Sequence, residues 1–234
     1  MFQRPHQRSQ RALDKPYRFA CWPLPADLGP LVEEITEQRP EWLESQWKWH
    51  VESQFSVLRA GRRAGYPGSE LTNGHSTNQP SLERLPRLAH FLDTAFPVRP
   101  TLAWLGRLPQ GGRIFTHVDN TEHWDEHHRV HVPLITNSEA RLCVAGRFLH
   151  LLPNHVWLLN NSLPHGALNR GPERLHLVLD LPHFAGFSEW LAAGNPAQGD
   201  ADPSDLAELN QDPLTSPAAL SSFDSSRLAR LLAQ

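Results

Sequence analysis

The stretch that follows Pro100 is divided into short apolar or alternating segments separated by turn residues, and this pattern limits the fold more than any other feature of the chain. Segments with the length and composition of β-strands cover residues 101–108, 113–118, 129–135, 140–144, 147–151, 155–160, 164–168 and 174–181. Short strands with tight connections predict an antiparallel sandwich or jelly roll. The Ala145-Gly146 dipeptide lies between two of them and has the composition of a hairpin turn.

The residues before this β region predict a layer of helices and loops over 17–98. Apolar residues recur at helical spacing in 25–43, with Asp27 as an N-cap, and again in 85–96. Glycine, proline and asparagine interrupt 59–80, which predicts a loop. We therefore expect a mainly β protein with an N-terminal helical layer.

The whole chain is expected to form one domain. Residues 1–16 predict a flexible, polar lead-in, 99–184 the β core and 185–234 a C-terminal wrap. Within that wrap, 195–221 is rich in Pro, Asp, Ser and Ala, as in a linker or surface segment. Residues 225–232 could close the chain with a short helix.

The composition is that of a soluble globular protein, with 39% hydrophobic and 20% charged residues and a formal net charge of −3. A nucleic-acid partner is not expected, because the chain is not strongly basic. No run approaches the roughly 20 apolar residues of a membrane span, and the basic N-terminus lacks the apolar segment of a secretory signal. We therefore expect no membrane association and a cytoplasmic location. Cys21 and Cys143 predict neither a disulfide framework nor a zinc site, and the oligomeric state stays open.

The tripeptide His117-Val118-Asp119 is a candidate metal-binding motif. Residues i and i+2 of an extended strand point the same way, so both polar side chains can converge on one ion. His165 heads a later predicted strand and could supply a third ligand. Two imidazoles and one carboxylate are the ligands of the facial triad that holds non-haem Fe(II) and leaves coordination positions open. The alternative for His117-Val118-Asp119 alone is a surface imidazole followed by a turn residue.

Two arginines stand in apolar strand segments. Arg174 begins such a run, and a buried cation requires an anionic partner. A carboxylate of a cosubstrate would serve, since guanidinium is suited to bidentate recognition of carboxylates. Strand alternation places Arg129 and His131 on one face of another segment. The alternatives are that Arg129 begins its strand in solvent and that His131 is a hydrogen-bonded core residue.

Two further features allow more than one interpretation. The segment 120–128 is dense in metal-capable side chains, and we expect a solvated loop or a substrate lid there rather than a second metal site. Several tryptophans could pack the helical layer against the β core or line a substrate pocket; they are Trp42, Trp47, Trp49 and Trp104. Asn160, Asn161 and Asn169 are candidates to orient the histidines.

The region from His117 to Leu181 resembles the aspartyl/asparaginyl β-hydroxylase family of Fe(II)- and 2-oxoglutarate-dependent oxygenases, which includes bacterial free-proline hydroxylases. The matching segments, in order, are His117-x-Asp119, Arg129-x-His131-x-Pro133-Leu134, Leu158-Leu159-Asn160-Asn161-Ser162, His165-Gly166-Ala167-Leu168-Asn169 and Arg174-Leu175-His176-Leu177-Val178-Leu179-Asp180.

This resemblance implies a double-stranded β-helix, or cupin-like jelly roll. It implies that His117, Asp119 and His165 bind iron and that Arg174 pairs with a carboxylate of 2-oxoglutarate. Arg129 and His131 would lie close to the cosubstrate. The carboxylate of Asp119 makes the motif more similar to the bacterial amino-acid hydroxylases than to the animal aspartyl hydroxylase, and it favours hydroxylation over halogenation.

The expected protein is thus a dioxygenase that uses Fe(II), 2-oxoglutarate and O₂ to hydroxylate an unactivated C–H bond. Its substrate would be an amino acid, or an amino-acid unit of a peptide or natural product. One alternative is a non-catalytic jelly-roll protein that binds a metal or ligand. Another is a cupin-type metalloenzyme that does not use 2-oxoglutarate, although the spacing of Arg174 from His165 disfavours it.

Overall fold

Two antiparallel β-sheets face each other across a cleft, and helices cover the outer face of the larger sheet. The structure is a computed structural model, and it describes residues 15–45, 48–61, 76–119 and 121–211. The mainly β class predicted from the sequence is confirmed. In the described ranges, the helices are too short or too polar to cross a bilayer.

The strands of the described residues are, in chain order, β1 (Phe19–Pro23), β2 (Leu43–Glu44), β3 (His50–Val51), β4 (Gln54–Gly61), β5 (Ser76–Asn78), β6 (Leu102–Leu108), β7 (Arg113–His117), β8 (His127–Ile135), β9 (Ala140–Val144), β10 (Arg147–Leu149), β11 (His155–Leu159), β12 (His165–Asn169), β13 (Arg174–Pro182), β14 (Asn195–Ala197) and β15 (Asp200–Ala201). The larger sheet has the order β14-β1-β11-β8-β13-β6-β4-β2, with β5 paired to β4. The smaller sheet has the order β15-β10-β9-β12-β7-β3.

The helices are α1 (Gly29–Gln38), α2 (Pro80–Glu83), α3 (Pro86–Thr94), α4 (Phe187–Ala192) and α5 (Pro203–Leu209), and a 3₁₀-helix covers Glu122–Asp125. The leucines at alternate positions of β13 pack against the apolar sides of α1 and α3 in the main core. The intervening positions of β13 point to the opposite face of the sheet. These positions, which begin with Arg174, therefore face the cleft between the sheets.

The strands predicted beyond Pro100 are confirmed, each within a few residues of its predicted bounds. Their turns are also close to prediction. Ala145 and Gly146 have φ values of 49° and 72°, as a two-residue hairpin turn of type I′ requires. The helices predicted within 25–43 and 85–96 are α1 and α3.

Asp27 does not occupy the N-cap of α1, which is Leu28. Instead, the Asp27 carboxylate accepts a hydrogen bond of 2.9 Å from the backbone N–H of Gly29. Asp27 therefore stands one position before the N-cap rather than at it, but its carboxylate still binds a free N–H near the start of the helix.

Two parts of the chain contain more regular structure than the sequence predicted. The layer at 17–98 also supplies β1 and β4, which belong to the larger sheet. The segment 195–221, predicted as a linker, contains β14, β15 and α5 within its described part. The strands β1 and β14 are short and contain proline, so they lack the alternation by which strands are recognised. The closing helix predicted at 225–232 lies outside the described residues.

Candidate metal centre and adjoining cavity

The candidate ligands come together because two strands that are distant in sequence pair side by side. His117 ends β7 and His165 begins β12, and the two residues are direct partners in the antiparallel ladder. The register shifts immediately afterwards, between His165 and Ala167. Such an irregularity bends the strand and changes the direction in which side chains point. Gly166 lies at this position, where a Cβ atom would come 2.6 Å from the carbonyl oxygen of Ile114.

The three side chains predicted as ligands form one compact group. Nε2 of His117 lies 3.8 Å from Oδ1 of Asp119, and Nε2 of His165 lies 3.8 Å from its Oδ2. One ligand atom from each residue falls within 4.8 Å of the others, and in the described ranges no second group of this kind occurs. Metal–nitrogen bonds are about 2.1 Å long, so a single ion can lie between these atoms.

Both imidazoles are oriented by backbone carbonyl groups. Nδ1 of His117 donates to the carbonyl oxygen of Phe115 at 2.8 Å, and Nδ1 of His165 donates to that of Leu163 at 3.0 Å. A proton on Nδ1 leaves the lone pair on Nε2, the atom that faces Asp119. Burial lowers the pKa of His165 to about 4, so this ring is neutral at pH 7. A neutral imidazole is the form that binds a metal.

The carboxylate of Asp119 is fixed from two sides. The amide of Asn161 donates to Oδ2 at 2.9 Å, and the Arg129 guanidinium lies 3.4 Å from the same oxygen. Burial acts to raise the pKa of Asp119, but the neighbouring positive charges and the Asn161 amide outweigh it and lower the pKa. The carboxylate is therefore ionised at neutral pH. Asn161 was predicted, with Asn160 and Asn169, to orient the histidines, but its side chain bonds to Asp119 instead.

Arg129 is the centre of a buried network of charges. Its Nε donates to Oδ1 of Asp180 at 2.8 Å. The guanidinium is stacked between the rings of Trp104 and Trp124, at 4.7 Å and 4.3 Å from their centroids. Burial acts to lower the pKa of Arg129, but the carboxylates of Asp180 and Asp119 outweigh it and raise the pKa. The alternative that Arg129 begins its strand in solvent is wrong, since its side chain is only 14% exposed.

A cavity extends from the candidate ligands to Arg174. Arg174 is buried, and among the described residues no carboxylate lies within ion-pair distance of it. Its Nη1 donates to Nδ1 of His176 at 2.6 Å, and His131 lies 3.3 Å from that nitrogen. Burial lowers the pKa of Arg174 to about 10, so it stays cationic at neutral pH. The walls between Arg174 and the ligands are apolar and are formed by Ile114, Leu142, Val144, Leu159, Ala167 and Val178.

This cavity fits the predicted cosubstrate in chemical character. A buried guanidinium without a carboxylate partner requires an anion, and bidentate carboxylate binding is what guanidinium does best. The apolar walls suit the methylene groups of a dicarboxylic acid, while the candidate metal centre suits its keto-acid end. His131 and His176 are both buried, and burial lowers both pKa values well below the usual range, so neither ring adds a competing charge.

The described part of the segment predicted as a solvated loop or a substrate lid, residues 121–128, is not a solvated loop, since most of its side chains are at least partly buried. It forms the 3₁₀-helix and contributes Trp124, which is buried against Arg129. His123 donates from Nε2 to Asp180 at 3.0 Å, and His128 bonds to Tyr17 at 2.8 Å. His123 and Trp124 thus pack against Asp180 and Arg129, a role that no sequence pattern beyond the density of histidines indicated.

The tryptophans divide between the two predicted roles. Trp104 lines the cavity. Trp49 lies parallel to the ring of His117, with 6.1 Å between centroids. Trp42 packs against the main core and stacks on Arg107. Trp47 lies outside the described residues.

The cleft between the two antiparallel sheets holds two imidazoles, one carboxylate and a guanidinium that has no ion-pair partner among the described residues. These features define a class: the iron- and 2-oxoglutarate-dependent oxygenases. A sequence model of the family described as aspartyl/asparaginyl beta-hydroxylase matches residues 37–184, more than half of the chain. The chain belongs to this family and is a 2-oxoglutarate-dependent hydroxylase.

Similar solved structures include a 2OG-Fe(II) oxygenase family oxidoreductase from Burkholderia pseudomallei, with 18% identity over 68% of this chain and 84% of that chain, at a TM-score of 0.47. HygX from Streptomyces hygroscopicus, solved with nickel and 2-oxoglutarate bound, shows 15% identity over 79% and 93% of the two chains, at a TM-score of 0.45. A Pseudomonas putida prolyl-4-hydroxylase shows 16% identity over 72% and 94%, at a TM-score of 0.44.

Proposed function

We propose that His117, Asp119 and His165 hold Fe(II), and that the protein hydroxylates an amino acid or an amino-acid unit of a peptide or natural product. The observation that carries the assignment of the ligands is their convergence. His117 at the end of β7, Asp119 two residues later and His165 at the start of β12 bring their donor atoms within 4.8 Å of one another. Arg174, which has no carboxylate partner among the described residues, lines the same cavity.

Arg174 would anchor the far carboxylate of 2-oxoglutarate. The support is that Arg174 is buried, lines the same cavity as the candidate ligands and has no carboxylate partner among the described residues. His131 lines the same cavity and would contribute to the polar end of this pocket. Arg129 also lines it, and its charge would act on the cosubstrate through the ligand carboxylate of Asp119.

The chain's own residues would position and isolate the reaction. The carbonyl groups of Phe115 and Leu163 keep both Nε2 atoms directed at the metal. Asn161 and Arg129 hold Asp119 ionised, and the apolar cavity walls exclude water. Bound Fe(II), together with 2-oxoglutarate and O₂, supplies the oxidising power that converts a C–H bond to an alcohol.

The first test is spectroscopic and needs no substrate. Anaerobic addition of Fe(II) and 2-oxoglutarate to the metal-free protein should give a weak metal-to-ligand charge-transfer absorption in the visible. His165→Ala should remove this band together with iron-dependent succinate formation. Protein that binds iron stoichiometrically but gives no band would contradict the proposal.

The second test separates the roles of Arg174 and the iron ligands. Arg174→Ala should raise the 2-oxoglutarate concentration required for half-maximal absorption on the order of 10- to 100-fold, because bonds between charged groups contribute about 1.5–3 kcal/mol. Fe(II) affinity measured without 2-oxoglutarate should stay nearly unchanged. Arg84→Ala, which removes an exposed arginine, is the matched control. An equal loss of iron and 2-oxoglutarate binding in Arg174→Ala would refute the anchoring role.

The substrate class is tested by screening. Free amino acids and short peptides should be compared for their ability to stimulate succinate formation. We expect at least one of them to stimulate it and to gain one oxygen atom, as detected by mass spectrometry. Stimulation only by compounds without an amino-acid unit would overturn the substrate assignment while leaving the oxygenase class intact.

A further inference from the structure

A second cavity lies beside the candidate metal centre and shares none of its lining residues with the first. It has a volume of about 720 Å³, which is within the usual range of ligand pockets. Three parts of the chain enclose it: the segment that leads into β1, the 3₁₀-helix, and the loop between β11 and β12. The last two residues of α4, Leu191 and Ala192, and the residues that follow this helix complete the wall.

Two cations line this cavity, Lys15 and Arg18. Nζ of Lys15 lies 3.4 Å from Oγ of Ser162 and 5.4 Å from the centroid of the Trp124 ring. Neither contact neutralises its charge. In the described part of the chain, no carboxylate lies within 4.0 Å of either cation. The one acidic side chain in the lining is Asp125.

Arg18 carries a second indication of a missing partner. Its Nε atom is buried and has no hydrogen-bond acceptor among the described residues. A buried donor that lacks an acceptor destabilises the folded state, and more so when the donor is charged. Burial lowers the pKa of Lys15 to about 8, so this amine is mostly protonated at neutral pH. The carboxylates of Asp180, Asp119 and Asp125 favour the charged form of Lys15 from a distance, but among the described residues neither Lys15 nor Arg18 has an ion-pair partner.

The backbone holds these cations in place and connects them to the metal centre. The Asn160 side-chain amide donates to the carbonyl oxygen of Lys15 at 3.0 Å, and its backbone N–H donates to that of Arg18 at 3.1 Å. The next residue, Asn161, donates to Asp119. Asn160, which holds the backbone of both cations, is therefore the sequence neighbour of Asn161, which contacts the candidate iron ligand Asp119.

We propose that this second cavity binds a carboxylate-bearing ligand through Lys15 and Arg18. Lysine supplies a mobile point charge and arginine a planar group with several donors, and together they complement a carboxylate. Two lining cations against one acid leave an excess positive charge for an anion. The carboxylate could belong to the substrate of the oxygenase or to a separate small acid, and the chemistry of recognition is the same for both.

The site is tested in the metal-free full-length protein, so the result does not depend on the proposed function. We would titrate N-acetylglycine by calorimetry and compare it with its neutral amide, N-acetylglycinamide. We expect saturable binding of the acid and none of the amide. Lys15→Met and Arg18→Met should each weaken the binding of the acid at least tenfold, whereas Arg174→Ala should keep this component.

Matched variants keep the test decisive if a substitution disturbs folding. Arg84→Met removes an exposed cation and should leave the affinity unchanged. Lys15→Arg and Arg18→Lys preserve charge and should retain binding within a few-fold, with thermal melting as the check on folding. Equal affinity for acid and amide, or affinity that survives both methionine substitutions, would overturn the proposal.

The source of the carboxylate is distinguished by turnover. If it is the substrate's own group, Lys15→Met should abolish the stimulation of succinate formation by the acid that stimulates the native enzyme. If it belongs to a separate ligand, that stimulation should persist in Lys15→Met while the binding of N-acetylglycine is lost. Both outcomes keep the site, and they assign it to different ligands.

Discussion

At the residue scale, the site depends on buried charges that balance one another. Arg129 lies between Asp119 and Asp180, and the rings of Trp104 and Trp124 cover both faces of its guanidinium. Asp180 is fully buried. Removal of one charge from such a group leaves the others buried without compensation, which is more damaging than loss of the whole group.

We therefore expect Arg129→Met to lower the free energy of unfolding by about 3–5 kcal/mol. Methionine keeps most of the volume between the two tryptophans, so the effect reports on charge rather than packing. Urea denaturation followed by tryptophan fluorescence would measure it. The double variant Arg129→Met/Asp180→Asn should recover part of the loss, because it removes one of the uncompensated carboxylates.

Arg107→Met provides the comparison. Arg107 also stacks on a tryptophan, Trp42, but its side chain is 29% exposed and its acidic neighbour Glu173 is 3.9 Å away. Ion pairs at such positions contribute roughly 1 kcal/mol or less. Equal destabilisation by Arg107→Met and Arg129→Met would show that the buried network has no special role.

A second prediction at this scale concerns Gly166. An alanine there would bring a Cβ atom 2.6 Å from the carbonyl oxygen of Ile114, so β12 and β7 would have to move apart. This movement separates His165 from His117. We expect Gly166→Ala to weaken binding of Mn(II) to the metal-free protein on the order of 10- to 100-fold, as when the support of metal ligands is disturbed.

Calorimetric titration with Mn(II) would measure this change, and circular dichroism would confirm the fold. Gly106→Ala is the matched control, since its Cβ would have 3.6 Å of clearance to the nearest atom, in Trp104. Its affinity for Mn(II) should match that of the native protein. An unchanged affinity in Gly166→Ala would mean that β12 can shift without moving the ligand.

At the element scale, strands with strong apolar patterns could be predicted from the sequence, and short elements stabilised by the rest of the fold could not. β13 is recognisable because its leucines alternate with other residues over its whole length. α5 begins with proline in a segment rich in Asp, Ser and Ala, which is equally typical of a linker. Asp202 caps this helix by accepting from the backbone N–H of Ser204 and Asp205.

The docking of α5 depends on one leucine more than on its ion pairs. Leu209 is fully buried in a cluster with Cys143, Phe148 and Leu168. We expect Leu209→Ala to lower the free energy of unfolding by about 2–5 kcal/mol, the usual effect of truncating a buried leucine. Arg170→Met removes ion pairs to α5, but the Arg170 side chain is 46% exposed, and we expect about 1 kcal/mol or less.

Denaturant unfolding of the two variants would measure both effects. A larger loss from Arg170→Met than from Leu209→Ala would show that α5 is held mainly by charge. Limited proteolysis provides a second readout, because a detached α5 should be cut before the β core.

At the scale of the whole molecule, the fold class and the set of candidate ligands were predictable, whereas the strand pairing that brings these residues together was not. His117, Asp119 and His165 were identified by residue type and by position at strand ends. Their convergence depends on the pairing of β7 with β12, a contact between distant segments that local patterns do not specify. The position of Lys15 against the loop at Ser162 is of the same kind, and the sequence predicted only a lead-in there.

The site also couples to the stability of the molecule as a whole, since its ligands join strands of the smaller sheet and its cavity walls come from both sheets. Mn(II) at 100 times its dissociation constant should stabilise the folded protein by about 2.7 kcal/mol. For a domain of this size the melting temperature should rise by roughly 5–10 °C.

Addition of 2-oxoglutarate to the Mn(II)-loaded protein should raise the melting temperature further. Asp119→Ala should remove most of the increase caused by the metal, whereas Arg174→Ala should keep that increase and lose the one caused by 2-oxoglutarate. Differential scanning calorimetry without O₂ would record both steps, and loss of the two together in Arg174→Ala would mean that Arg174 supports metal binding rather than anchoring the far carboxylate of 2-oxoglutarate.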